Sequence, residues 1–194
     1  MIKLKKAGFK IAAAGVITFL GIQLAEVNYV GNYSTKSNYI SDLGINNSFA
    51  SFAFNVTMMT SGILIYLGNR TLAKNNFSNW LTITLRLYAI GTFLVGLFPS
   101  TIGIGHGLGA TLVFFFGAPS AFTSIKYFSR PFKSMAIILG SMSTLFLINF
   151  MVTTSTNNGI ENIGGIERFL IYPITMWLII FGTYICSNAD KVKE

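Results

Sequence analysis

Residues 1–30 read MIKLKKAGFKIAAAGVITFLGIQLAEVNYV. Lys3, Lys5, Lys6 and Lys10 crowd the head, and an apolar run with few interruptions fills 8–30. A helix needs roughly 20 such residues to cross the hydrocarbon core of a bilayer. A lysine-rich head before an apolar stretch also resembles a secretory signal. Here the stretch continues past Glu26 to Val30 and no small-x-small cleavage site ends it, so it reads as an uncleaved first span.

The remainder of the chain repeats the arrangement. Further spans are expected at 49–67, 80–98, 108–125, 134–152 and 169–186. Lipid offers backbone groups no partner, so such runs form helices; a β-barrel would show shorter, alternating segments. Hydrophobic residues make up 52% of the 194 residues and charged ones 10%. A soluble domain carries roughly 25% charged residues, so this chain cannot cover a water-facing surface. Short connections predict one all-α domain over 1–194, a polytopic integral membrane bundle of six transmembrane helices. No convincing internal repeat is visible, although two inverted halves of three spans would leave little trace.

Fourteen Lys and Arg residues accompany six acids, and the two sets fall in different places. Numbered in order, alternate polar segments hold the basic residues: the head, then Arg70 and Lys74 with Arg86 close by, then Lys126, Arg130 and Lys133, then Lys191 and Lys193. Only Lys36 and Arg168 break the pattern. Basic residues gather on the cytoplasmic side, which predicts both termini cytoplasmic and a multi-pass protein of the cell membrane. Glu26, Asp42, Glu161, Glu167 and the sole histidine, His106, then fall on or near the outer face.

The net charge of +8 comes from residues flanking apolar runs rather than a patch with interleaved aromatics. Nucleic acid is therefore not an expected partner, whereas membrane lipids are. One cysteine, Cys186, excludes an internal disulfide and any cysteine-based metal cluster. It reads as a small membrane-embedded side chain, with juxtamembrane palmitoylation as the alternative. Tyr29, Tyr33, Tyr39, Trp80 and Tyr127 lie where an aromatic belt would, and Phe114, Phe115 and Phe116 fall mid-span. Asn32 and Asn46 head outer-side Asn-x-Ser sequons. Pro119 and Pro173 lie inside spans and are expected to kink them.

The outer connections, 31–48, 99–107 and 153–168, hold the candidate site. Ionisable groups in or beside a span ask for a partner or a water-filled cavity. Glu26 stands near the outer end of the first span and Asn55 one to two turns into the second. His106 caps the fourth, and Glu167 and Arg168 open the sixth. Asp42 lies in YISDLG, residues 39–44, which is apolar enough to dip toward the bundle.

Three readings are open. In one, Arg168 pairs with Glu26 or Asp42 while His106 bonds a loop carbonyl. In the second, a lipid headgroup or other polar ligand is held by Arg168, Glu26, Ser41 and Asn55, with the amides of Gly105 and Gly107 near an anion. In the third, His106 is a general acid or base oriented by Asp42 or Glu167, and water, a substrate hydroxyl or Ser41 attacks. The glycines at 103, 105, 107 and 109 also suit close helix packing. Catalytic zinc wants three protein ligands in a recognisable spacing, and that signature is missing. A bis-histidine haem needs a second histidine. No metal or cofactor is expected.

The ordered set YISDLG at 39–44, Phe98-Pro99, His106-Gly107, and Glu167-Arg168 leading into a span with Trp177 resembles the DUF998 family of small six-span prokaryotic membrane proteins. The family is distantly similar in layout to the Frag1/DRAM/Sfk1 membrane proteins, some of which are tied to lipid handling. The resemblance implies six helices and an outer-face site at Ser41, Asp42, His106, Glu167 and Arg168. It implies no reaction. The functional expectation is binding or processing of a lipid or amphiphile at the outer face. A proton- or solute-coupled carrier and a non-catalytic accessory subunit are the alternatives.

Overall fold

Six α-helices stand where the six apolar runs lie. The structure, a computed structural model, describes residues 2–45, 48–156 and 162–190. Glu161, the sequon at Asn46 and the tail lysines Lys191 and Lys193 lie outside the described residues. Helix α1 is Ile2–Val27, α2 Phe49–Ala73, α3 Asn79–Leu97, α4 Gly103–Ser124, α5 Phe132–Thr156 and α6 Ile163–Ser187. A one-turn 3-10 helix, Ile40–Gly44, lies between α1 and α2, and another, Ile125–Tyr127, follows α4. All six α-helices are long and apolar enough to cross a membrane, and no strand occurs among the described residues.

Each helix packs on its neighbours in the chain, and α6 closes the ring on α1; α4 also reaches across to α6. Closure depends on glycine. A Cβ built at Gly8 would sit 2.6 Å from the Cys186 amide nitrogen, and one at Gly182 would strike the backbone of Ala12. The first and last helices therefore touch backbone to backbone, as small residues permit in a membrane bundle. This contact sets both termini at one end, here called the terminal end. The opposite end carries Arg168.

The inward faces hold Ile11, Ile22, Phe54, Leu85, Trp177 and Phe181. Several polar groups between them are paired: Thr18 Oγ1 donates to Ser61 Oγ at 2.9 Å and Trp177 Nε1 to Ser124 Oγ at 3.0 Å. The outward faces stay apolar, with Phe9, Leu20, Ile63, Phe115 and Ile138 exposed. Lipid tails are as apolar as leucine, so such faces need no protein cover. Helix α5 is the least covered, burying only Ala136, Gly140 and Ser143.

Of the boundaries that differ from the expected spans, three bear on the site. Helix α1 stops at Val27, three residues short, where Asn28 Nδ2 turns back to bond the Leu24 carbonyl at 2.8 Å. Helix α4 starts at Gly103, so Gly105, His106 and Gly107 belong to its first turns rather than to a loop. Gly105 makes this start feasible, because a Cβ there would lie 2.7 Å from the Phe98 ring. Helix α6 starts at Ile163, which carries Glu167 and Arg168 into its second turn.

Candidate functional site

The segment from Asn28 to Ile45 folds over the Arg168 end as a strap. Two adjacent residues of α6 fasten it. Arg168 donates from Nη2 to Glu26 Oε1 at 2.6 Å and from Nε to the same oxygen at 3.1 Å. Its Nη1 donates to the carbonyls of Thr35 (2.9 Å), Asn38 (3.1 Å) and Gly164 (2.9 Å). Its Nη2 also reaches Tyr33 Oη at 2.5 Å, and the guanidinium lies 5.6 Å from that ring's centre. A guanidinium has five N–H donors, and these partners engage all of them. Burial pushes the Tyr33 phenol above its ordinary pKa, while the Arg168 charge pulls it down.

Glu167 makes the second fastening. The Ile40 amide donates to its Oε2 at 2.6 Å, and the residue is only 5% exposed. The amides of Gly164 and Gly165 donate to the Lys36 carbonyl at 3.0 and 3.2 Å. Glycine at 164 is required, because a Cβ would run into the Asn38 carbonyl. Asp42 turns to its own segment: its Oδ2 accepts from the Tyr39 amide at 3.0 Å and from Asn38 Nδ2 at 3.3 Å. Short aspartate side chains bond nearby backbone readily, and here that closes the first 3-10 turn.

The expected residues divide among three places. Under the strap, on the ring's axis, a cavity of about 30 Å³ is lined by Ser41, His106 and Glu167 among apolar residues such as Ile22, Phe54 and Phe114. That volume suits a water molecule or two and no lipid. His106 is positioned by the Phe98 carbonyl, 2.9 Å from Nδ1, and not by Asp42 or Glu167. A carbonyl only accepts, so Nδ1 carries the hydrogen and Nε2 is left as the proton-accepting nitrogen.

Asn55 lies elsewhere. Its Nδ2 donates to the Gly44 carbonyl at 3.3 Å, its Oδ1 is buried without a partner among the described residues, and it borders a shallow hollow on α2 with Ser48 and Ser51. Gly105 serves Phe98 packing, and Gly107 has open space where a side chain would point. Among the described residues no three of His, Cys, Asp and Glu come together as a metal site.

The third place went unread in the sequence. Between α5 and α6 a groove of about 530 Å³ opens laterally. Its walls are Leu139 and Met142 from α5, and Phe169, Pro173 and Met176 from α6; Thr35, Lys36 and Arg168 stand at its polar end. Glu167 and Arg168 thus serve different faces of α6: the first faces the axial cavity and the second borders the groove. The usable signal was Lys36, one of two cations that break the charge pattern. The walls gave none, because groove-lining Leu, Met and Phe look like any lipid-facing residues.

A family model described as a protein of unknown function, DUF998, matches residues 12–184, nearly the whole chain. No curated protein and no solved structure matches.

Proposed function

The chain belongs to the DUF998 family, and we propose that it binds an amphiphile of the cell membrane in the α5–α6 groove, at the outer face. The observation that carries this reading is the groove itself: apolar along its length, polar at the Arg168 end, and open to the side where lipid lies. Ligand sites are concave and mostly apolar with a few placed polar groups, commonly at about 300–1,000 Å³, and this groove fits that description. The alternation of basic segments supports putting the Arg168 end outside.

A variant separates the groove from the fold. Gly165 lines the groove, and a Cβ there meets nothing within 4 Å. Gly165→Phe directs a ring into the polar mouth from a position whose Cβ has free space, and it replaces a poor helix former. Native mass spectrometry of detergent-purified protein should show retained lipid on the natural chain and its loss in Gly165→Phe. Equal lipid on both would overturn the reading.

A second reading, acid–base chemistry, has one observation in its favour: Ser41, His106 and Glu167 line a single cavity. Its size limits the occupant to water. Helix α6 stands between it and the groove, so a lipid held in the groove does not reach His106 in this arrangement.

A further inference from the structure

The groove's polar mouth carries an uncompensated positive charge, and this sets the headgroup. Arg168 does not supply that charge, because Glu26 neutralises it and its N–H groups are all engaged. The first amides of α6 do not supply a free anion site either, because Gly164 and Gly165 donate to the Lys36 carbonyl. Lys36 remains. It is exposed, its side chain has no ion pair among the described residues, and it stands on the groove's rim beside Thr35. The nearby acids are turned away: Glu26 is bound to Arg168, Asp42 to the strap's backbone, and Glu167 lines the axial cavity.

The groove's length sets the rest of the molecule. From Gly165 to Met176 its α6 wall spans eleven helical rises, about 16 Å at 1.5 Å each. That is about half of a hydrocarbon core roughly 30 Å thick, the depth of a single leaflet.

We infer that the groove takes a lipid of one leaflet with an anionic headgroup, its phosphate on Lys36 and its chain along Phe169, Pro173 and Met176. This rests on the reading of the groove as an amphiphile site. The flexible lysine stem reaches along apolar surface while its ammonium stays at the headgroup level.

The test is competition in native mass spectrometry between phosphatidylglycerol and phosphatidylcholine bearing the same acyl chains. The natural chain should prefer phosphatidylglycerol by about threefold to fivefold, the range of one exposed charge pair. Raising salt should shrink the preference. Lys36→Gln should bind both lipids at the phosphatidylcholine level, Lys36→Arg should keep the preference, and Gly165→Phe should lose both lipids. Equal affinities for the natural chain, or a preference that survives Lys36→Gln, would overturn the headgroup assignment while leaving the groove reading intact. Full binding of both lipids by Gly165→Phe would overturn the groove reading itself.

Discussion

Arg168 Nη2 lies 2.6 Å from Glu26 Oε1, across 142 residues of sequence, and the contact ties the last helix of the ring to the first. The two side chains are 9% and 12% exposed. Removing one partner of such a pair leaves a charge with little solvent, at a cost of about 3–5 kcal/mol, whereas replacing both is milder. Arg168→Gln and Glu26→Gln should each lower thermal stability in detergent. The double variant should lose less than the sum of the two. Additive losses would mean that Arg168 acts through the strap carbonyls and not through Glu26.

Orientation is tested by labelling. With the Arg168 end outside, a cysteine at Ser37 should react with an impermeant thiol reagent added to intact cells. One at Ser129 or Asn75, near the terminal end, should stay unlabelled until the membrane is opened. Cys186 is replaced by alanine in all three. The opposite pattern would place Lys36 and the groove mouth in the cytoplasm.

Variants at His106 test whether the axial cavity and the groove act separately. Glutamine at 106 keeps an amide N–H for the Phe98 carbonyl, so His106→Gln should stay within about 1 kcal/mol of the natural chain. Leucine leaves that carbonyl without its donor, and His106→Leu should cost about 1–3 kcal/mol. Neither should change lipid retention, because α6 stands between the two places. A drop in lipid with His106→Gln comparable to that of Gly165→Phe would make cavity and groove one functional site.

The fold was legible because each span is a long apolar run between polar segments, and lipid leaves such a run no structure but a helix. Arg168 was legible as a demand for a partner, since a cation in the first turns of a helix opposes the helix dipole. Glu26, an acid at the matching depth of α1, was one of the two partners expected. The start of α4 was not legible: Gly103, Gly105 and Gly107 fell in the expected connection 99–107, and only the Phe98 ring lying on Gly105 reveals why a helix begins there. Asp42, one of two acids that the acid–base reading set to orient His106, instead closes its own turn, a choice of partner that sequence spacing does not decide. The groove was hidden for a different reason. Its walls belong to two helices, and the gap between them depends on packing that no single segment specifies.

A photoactivatable lipid with a diazirine in its acyl chain locates the bound amphiphile most directly. After irradiation of purified protein in nanodiscs, peptide mass spectrometry should find adducts concentrated on Leu139, Met142, Phe169 and Met176. They should be reduced by Gly165→Phe. Adducts spread evenly over the lipid-facing helices, including Ile63 and Phe93 in the apolar furrow between α2 and α3, would show ordinary lipid contact and contradict a dedicated site between α5 and α6.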